Sequence, residues 1–132
     1  MADYLKLEVV TPSRRVLEGR AKEVRIPGAL GELGILPGHT PLLTSLGTGE
    51  VTWFDDGTTG RLVVQGGFAE VQPDAVTVLA SVAETVDEID VESARTALAA
   101  AQERLKAVAA EEFDDVDGQV RLAEARISVA SK

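Results

Sequence analysis

Apolar and polar residues alternate along the first two thirds of the chain, then change to a helical period. Leu5, Leu7 and Val9 alternate with Lys6 and Glu8, and Val24 and Ile26 with Glu23 and Arg25. Val51 and Trp53 lead into Asp55-Asp56-Gly57, a hairpin turn signal, and Leu62 and Val64 form the return strand. Phe68 and Val71 precede a second turn at Pro73-Asp74, after which Val76, Val78 and Ala80 alternate again. A period of two puts one face of each strand inside and the other in water. Several short strands at close spacing predict an antiparallel β-sandwich or barrel.

Beyond that point the spacing changes. Val91, Ala94, Leu98, Ala101, Leu105 and Val108 recur at alternating steps of three and four. Val116, Val120, Ala123, Ile127 and Ala130 do the same. Each set is one apolar stripe on a helix. The break at Phe113-Asp114-Asp115 offers stop and N-capping chemistry, so the two helices form an αα-hairpin. The expected class is β then α (α+β): a sandwich over residues 1–86 and a helical hairpin over 87–132.

Composition sharpens the seam. Eleven of twelve glycines lie at or before Gly67 and all five prolines at or before Pro73, whereas eleven alanines fall between Ala94 and Ala130. The two stripes carry only seven large apolar residues. Their burial is too little to offset the ordering of both helices. The hairpin therefore needs an external surface, and is expected to be a marginally docked arm that can leave its seat.

Net charge is −9, which excludes a nucleic-acid binder that works through a basic face and opposes docking on anionic lipid. There is no cysteine, and no apolar run approaches the ~18 residues of a membrane span. The N-terminus lacks the basic region and apolar core of a secretion signal, so the expected setting is soluble and cytoplasmic.

Candidate chemistry is sparse. His39 is the only histidine, without the partners of a zinc site or a catalytic triad. Gly28, Gly31, Gly34 and Gly38 do not have phosphate-loop spacing, and the acidic clusters lack the ligand spacing of a calcium loop. No active site is expected. The most shaped segment runs from Gly31 to Leu43, where Gly34, Pro37, Gly38 and Pro41 interrupt apolar residues. It is expected to be a loop of defined form, in which His39 hydrogen-bonds locally and Glu32, otherwise a solvated charge, is held where it can make a contact.

These residues also carry a resemblance. Gly31-Glu32-Leu33-Gly34-Ile35, Pro37-Gly38-His39-Thr40-Pro41-Leu42-Leu43-Thr44, Gly66-Gly67-Phe68-Ala69-Glu70-Val71, Val76-Thr77-Val78-Leu79-Ala80 and Arg126-Ile127-Ser128-Val129-Ala130 together resemble the ε subunits of bacterial F-type ATP synthases over nearly the whole chain. The resemblance implies a non-catalytic place in the central rotor stalk, coupling c-ring and γ rotation to ATP synthesis. It implies a membrane-peripheral location on the cytoplasmic face of the bacterial inner membrane, with no insertion. The implied partners are γ, the c-ring and, when the helical arm extends, the α/β catalytic head, where the arm hinders ATP hydrolysis. Gly31, Glu32, Leu33, Gly38 and His39 become the expected contact region for c-ring and γ.

No cofactor is required on this reading, but some such subunits bind ATP on the folded hairpin through Ile/Leu-Asp-x-x-Arg-Ala plus arginines on the second helix. Here Ile89, Asp90 and Ala94 match, Ser93 stands in place of the arginine, and Arg126 and Arg121 are the second-helix candidates. Arg95 lies about 200° round a helix from Ser93 and would not present the same donors. The segment from Asp90 to Lys132 is net negative, with nine acids and six bases giving −3.

Overall fold

A computed structural model describes residues 3–132. Eight strands come first: β1 (Leu5–Val10), β2 (Arg15–Ala21), β3 (Glu23–Gly28), β4 (Gly31–Ile35), β5 (Leu42–Ser45), β6 (Thr48–Asp55), β7 (Thr58–Gln72) and β8 (Ala75–Thr85). They hydrogen-bond in the order β2-β1-β8-β7-β6-β3-β4, with β5 on the second half of β7. The path folds back on itself into a sandwich. Leu5, Leu7, Val9, Val24, Ile26, Ile35, Val51, Leu62, Val64, Val71, Val76 and Val78 fill the space between its layers. Most of the strand residues read from the chain are in this core; Trp53 packs on its margin and Phe68 lies outside it.

The expected turns form as two-residue loops. Asp55 pairs with Thr58 across Asp56-Gly57, whose φ values of 46° and 82° give a type I′ geometry. Gln72 pairs with Ala75 across Pro73-Asp74. One pairing departs from the antiparallel expectation: β1 runs parallel to β8.

Three strands carry no clear alternation in the sequence. β2 and β4 end the strand path, and β5 has four residues, three of them exposed. A strand covered on few sides needs few buried residues, so its pattern is weak. The segment from Gly31 to Leu43, expected to be one loop, is in fact edge strand β4, a six-residue loop over 36–41 and the start of β5.

β7 is the longest strand and it bends at Gly66-Gly67, where φ reaches 68° and 102°. A Cβ at Gly67 would lie 2.0 Å from the Leu79 carbonyl oxygen, so glycine alone permits the close passage of β8. The bend shifts the alternation. Leu62 and Val64 point into the core before it, Ala69 and Val71 after it. The outer face accordingly carries Val63 and Gln65 in the first half of β7 and Phe68 and Glu70 in the second.

After β8 comes a 3₁₀ turn, Val86–Glu88, then α1 (Val91–Leu105) and α2 (Phe113–Ala130). Asp90 caps α1 by accepting from the Ser93 N–H at 3.1 Å. α1 stops at Leu105, so Val108 lies outside the helix where its stripe was expected to continue. α2 begins earlier than expected, with Glu112 at its cap position and no side-chain cap bond. Asp114 and Asp115 instead occupy its first turn, where the helix dipole favours acids.

The seating of the hairpin was not foreseen in detail. α1 packs on α2, and α2 alone among the helices packs broadly on the sheet, against β6 and β7. α2 therefore has two apolar faces. Val116, Val120 and Ala123 are buried on the expected stripe. Gly118, Leu122, Ala125 and Val129 lie roughly opposite, at 100° per residue. The Gly118 carbonyl accepts from the side chain of Gln65 on β7 at 3.0 Å, which identifies this second face as the one on the sheet. Val63, fully buried yet outside the sandwich core, is covered from that side.

Candidate functional site

Two surfaces stand apart from the ordinary solvated exterior. The first is the outer face of β5, β7, β8 and β1 beyond the bend. Here strand register sets Ser45, Phe68, Leu79 and Val10 in one row across four strands. Phe68 is 53% and Leu79 48% exposed, and Leu43, two residues from Ser45 on the same face, is 68% exposed. Val10, Thr11, Pro12, Phe68 and Leu79 border an open apolar groove of about 410 Å³. Large apolar side chains clustered in this way mark an interaction surface. Sequence reasoning named Phe68 as a strand residue and missed its outward direction, because the bend at Gly66-Gly67 reverses the inside–outside count.

The predicted contact residues are spread along β4 and the loop after it. Gly31 follows the Ala29-Leu30 turn at the tip of the β3–β4 hairpin, with φ 140°. Leu30 at that tip is entirely exposed and was not among the expected contacts. Glu32 is exposed opposite Pro27, while Leu33 packs partly on the core. Gly38 and His39 lie beyond the far end of β4, about 13 Å along the strand from Gly31 at ~3.3 Å per residue. Gly38, with φ 89°, donates its N–H to the Pro73 carbonyl at 2.7 Å and so fastens the loop to the β7–β8 turn. His39 Nδ1–H donates to the carbonyl of Thr40 at 2.6 Å. The five residues thus lie in two separate places along one edge.

The second surface is the seam between sandwich and hairpin. A pocket of about 300 Å³ is lined by Glu84, Glu88, Ile89, Asp90, Ser93, Ala94, Ala97 and Arg126. The fold brings Ile89, Asp90, Ala94 and Arg126 together as the sequence suggested. Arg121 is elsewhere, exposed and paired with Asp117 at 2.9 Å. Arg126 is the only cation in the pocket and is already held by Glu84, Nε to Oε1 at 2.7 Å and Nη2 to Oε2 at 2.8 Å. The α1 N-terminus is occupied by Asp90, whose carboxyl is held below its usual range by the Ser93 N–H. Glu88 is held at about 2 by the Arg14 guanidinium, then by the Thr85 N–H and hydroxyl. With Arg126 taken by Glu84, Glu88 taken by Arg14 and Asp90 capping α1, the lining offers a polyphosphate no unpaired cation among the described residues.

No helix of the described residues is long and apolar enough to cross a membrane. Residues 4–86 match the family model described as ATP synthase, Delta/Epsilon chain, beta-sandwich domain. The ATP synthase epsilon chain of Geotalea uraniireducens (strain Rf4) is 45% identical over 134 aligned positions, covering all of this chain and 97% of the relative. That of Geobacter sulfurreducens (strain ATCC 51573 / DSM 12127 / PCA) is 42% identical with the same coverage. Among solved structures, a chain of the Euglena gracilis mitochondrial ATP synthase OSCP/F1/c-ring assembly superposes with a TM-score of 0.85 at 21% identity, covering all of this chain and 84% of that one. A chain of the Tetrahymena thermophila mitochondrial ATP synthase central stalk/c-ring gives 0.62 at 13% identity, covering 93% and 96%.

Proposed function

The chain belongs to the ATP synthase epsilon-chain family, and on that premise we propose that it works as a non-catalytic subunit of the central rotor stalk. It couples rotation of the c-ring and γ to ATP synthesis on other subunits. The observation that carries the partner assignment is the exposed pair Phe68 and Leu79, with half-buried Val10 in register beside them, on the outer face of a buried core. A rigid sandwich with one apolar outer face transmits torque only if that face is covered, and γ is the partner that covers it. The edge formed by Leu30, Gly31, Glu32 and the Gly38-His39 loop meets the polar loops of the c-ring. The complex keeps the chain peripheral to the cytoplasmic face of the bacterial plasma membrane.

The hairpin is the regulatory part. It rests on the sandwich through one helix and extends toward the α/β head to hinder ATP hydrolysis. ATP gating of this arm finds less support, since the sole cation of the seam pocket is paired and its other charges are carboxylates.

The test is ATP hydrolysis by the assembled complex, with the intact chain and with the chain truncated after Glu88. That cut retains the Glu88 contacts with Arg14 and Thr85 that close off the sandwich. A rise in hydrolysis with assembly preserved supports the inhibitory arm. Unchanged hydrolysis confines the role to the sandwich. Loss of γ binding on Phe68→Glu supports the assigned face, and retained binding overturns it.

A further inference from the structure

Strand register places Glu50 on β6 and Glu84 on β8 directly opposite Val63 on β7, one on each side. The sheet therefore presents a row of acid, valine, acid on its outer face. The C-terminal end of the chain presents the complement. Arg126 and Val129 lie on α2 about 60° apart round its axis, and Lys132 follows two residues past the helix end, three beyond Val129. Val63 and Val129 are both buried. Arg126 meets Glu84 in a bidentate pair at 2.7 and 2.8 Å, and Lys132 Nζ meets Glu50 at 2.7 Å. The widths agree as well. Two strand spacings of about 4.8 Å separate the acids, and a helix with its side chains is about 10 Å across.

We propose that these two rows form an ionic latch, with Arg126 on Glu84 and Lys132 on Glu50 straddling the Val63/Val129 contact, and that this latch, with no bound ligand, sets the docked position of the hairpin. The apolar contact beneath it is small, since Gly118 and Ala125 supply two of the four residues on that face of α2. α1 adds little direct contact with the sheet. Both pairs keep some exposure, with Arg126 and Glu84 at 27% and 25% and Lys132 and Glu50 at 45% and 19%. Salt reaches such pairs and weakens them. Opening the latch also leaves Glu50 and Glu84 facing solvent on either side of an uncovered valine, so the seat itself favours a basic, apolar-centred occupant. The bidentate guanidinium pair is the stronger arm. The lysine pair is the weaker, because Glu50 is shared with Arg61 at 3.0 Å.

The inference deepens the reading of the hairpin as a movable arm, but its test uses the free, full-length chain. Amide hydrogen exchange is followed over 123–130 in α2, with amides of β7 and β8 as the internal control for global unfolding. Arg126→Gln should lower α2 protection about tenfold and Lys132→Gln about threefold, leaving the sandwich amides unchanged. About 1 M NaCl should lower the parent's protection by a similar factor and have little effect on the double variant. Exchanging the charges, Glu84→Arg with Arg126→Glu, should restore protection lost in either single change. Addition of about 5 mM ATP, a concentration that detects millimolar binding, should leave protection unchanged. Unchanged α2 protection in the double variant overturns the latch. So does equal salt sensitivity in both proteins, a charge exchange that fails to restore protection, or a gain of protection with ATP. Should the latch fail while hydrolysis still rises on truncation after Glu88, the arm stands and only its holding device is lost.

Discussion

Gln65, on the outer face of the longest strand, donates its side-chain amide to the backbone carbonyl of Gly118 in the second helix at 3.0 Å. It also donates to the Thr48 hydroxyl at 3.1 Å, so one side chain ties β6, β7 and α2 together. Gly118 is the only glycine in the helical part. A Cβ there would stand 3.6 Å from the Gln65 amide nitrogen, an ordinary contact. Gly118→Ala should therefore raise stability, by up to about 1 kcal/mol from helix propensity. Gly118→Leu should push α2 off the strand and cost on the order of 1–3 kcal/mol. Thermal unfolding and α2 amide exchange check both; destabilisation by alanine would contradict the contact.

Gly67 and Gly31 separate two costs of replacing a glycine. Both have positive φ, but a Cβ at Gly31 meets nothing within 4 Å, whereas one at Gly67 would overlap the Leu79 carbonyl oxygen. Gly31→Ala should cost about 1–2 kcal/mol in backbone strain alone. Gly67→Ala adds displacement of β8 and should cost on the order of 3 kcal/mol or more. Urea denaturation of the two variants should rank them in that order.

Glu88 predicts the acid response of the linker. Its carboxyl is drawn from an ordinary 4.5 to about 2, first by Arg14 and then by Thr85. A carboxylate with a lowered folded pKa stabilises fully above its unfolded value. That contribution fades as pH falls from about 4.5 toward 2. Glu88→Gln should be less stable than the parent near pH ~7, and the difference should shrink by pH ~3. Denaturant midpoints at the two pH values measure it. A constant difference would mean that Glu88 acts only through neutral hydrogen bonds.

Phe68 is exposed, so its loss should be silent in the free chain and costly in the complex. Phe68→Glu should change folding stability by less than about 1 kcal/mol. Affinity for γ should fall by roughly 30-fold or more, as expected for a large aromatic at the centre of an interface. Thermal unfolding of the chain and a binding titration with γ provide the two numbers.

Residues with one face in the core and one in water were legible in the sequence. Leu5 to Val9 and Val76 to Ala80 alternate because they obey that rule along their whole length. β2, β4 and β5 were not legible, since edge strands bury few side chains. Phe68 was recognised as a strand residue, but its direction depends on a bend that changes the count at Gly66-Gly67. On α2 the expected stripe of Val116, Val120 and Ala123 faces α1, whereas Val129 escaped notice because a helix touching two neighbours has two apolar faces. The seam residues Ile89, Asp90, Ala94 and Arg126 were named together from a motif. Their partner Glu84 was not, since it lies 42 residues from Arg126.

By itself, the order of residues determined that strands precede helices, where the change falls, and which side chains build the sandwich core. These follow from local periodicity and from where glycine, proline and alanine occur. Only the tertiary structure decided that β1 runs parallel to β8, that Phe68 points outward, and that Glu50, Val63 and Glu84 align beneath Lys132, Val129 and Arg126. Those relationships depend on strand register and on the seating of one helix across three strands, and each joins residues too far apart in the chain for any local period to record.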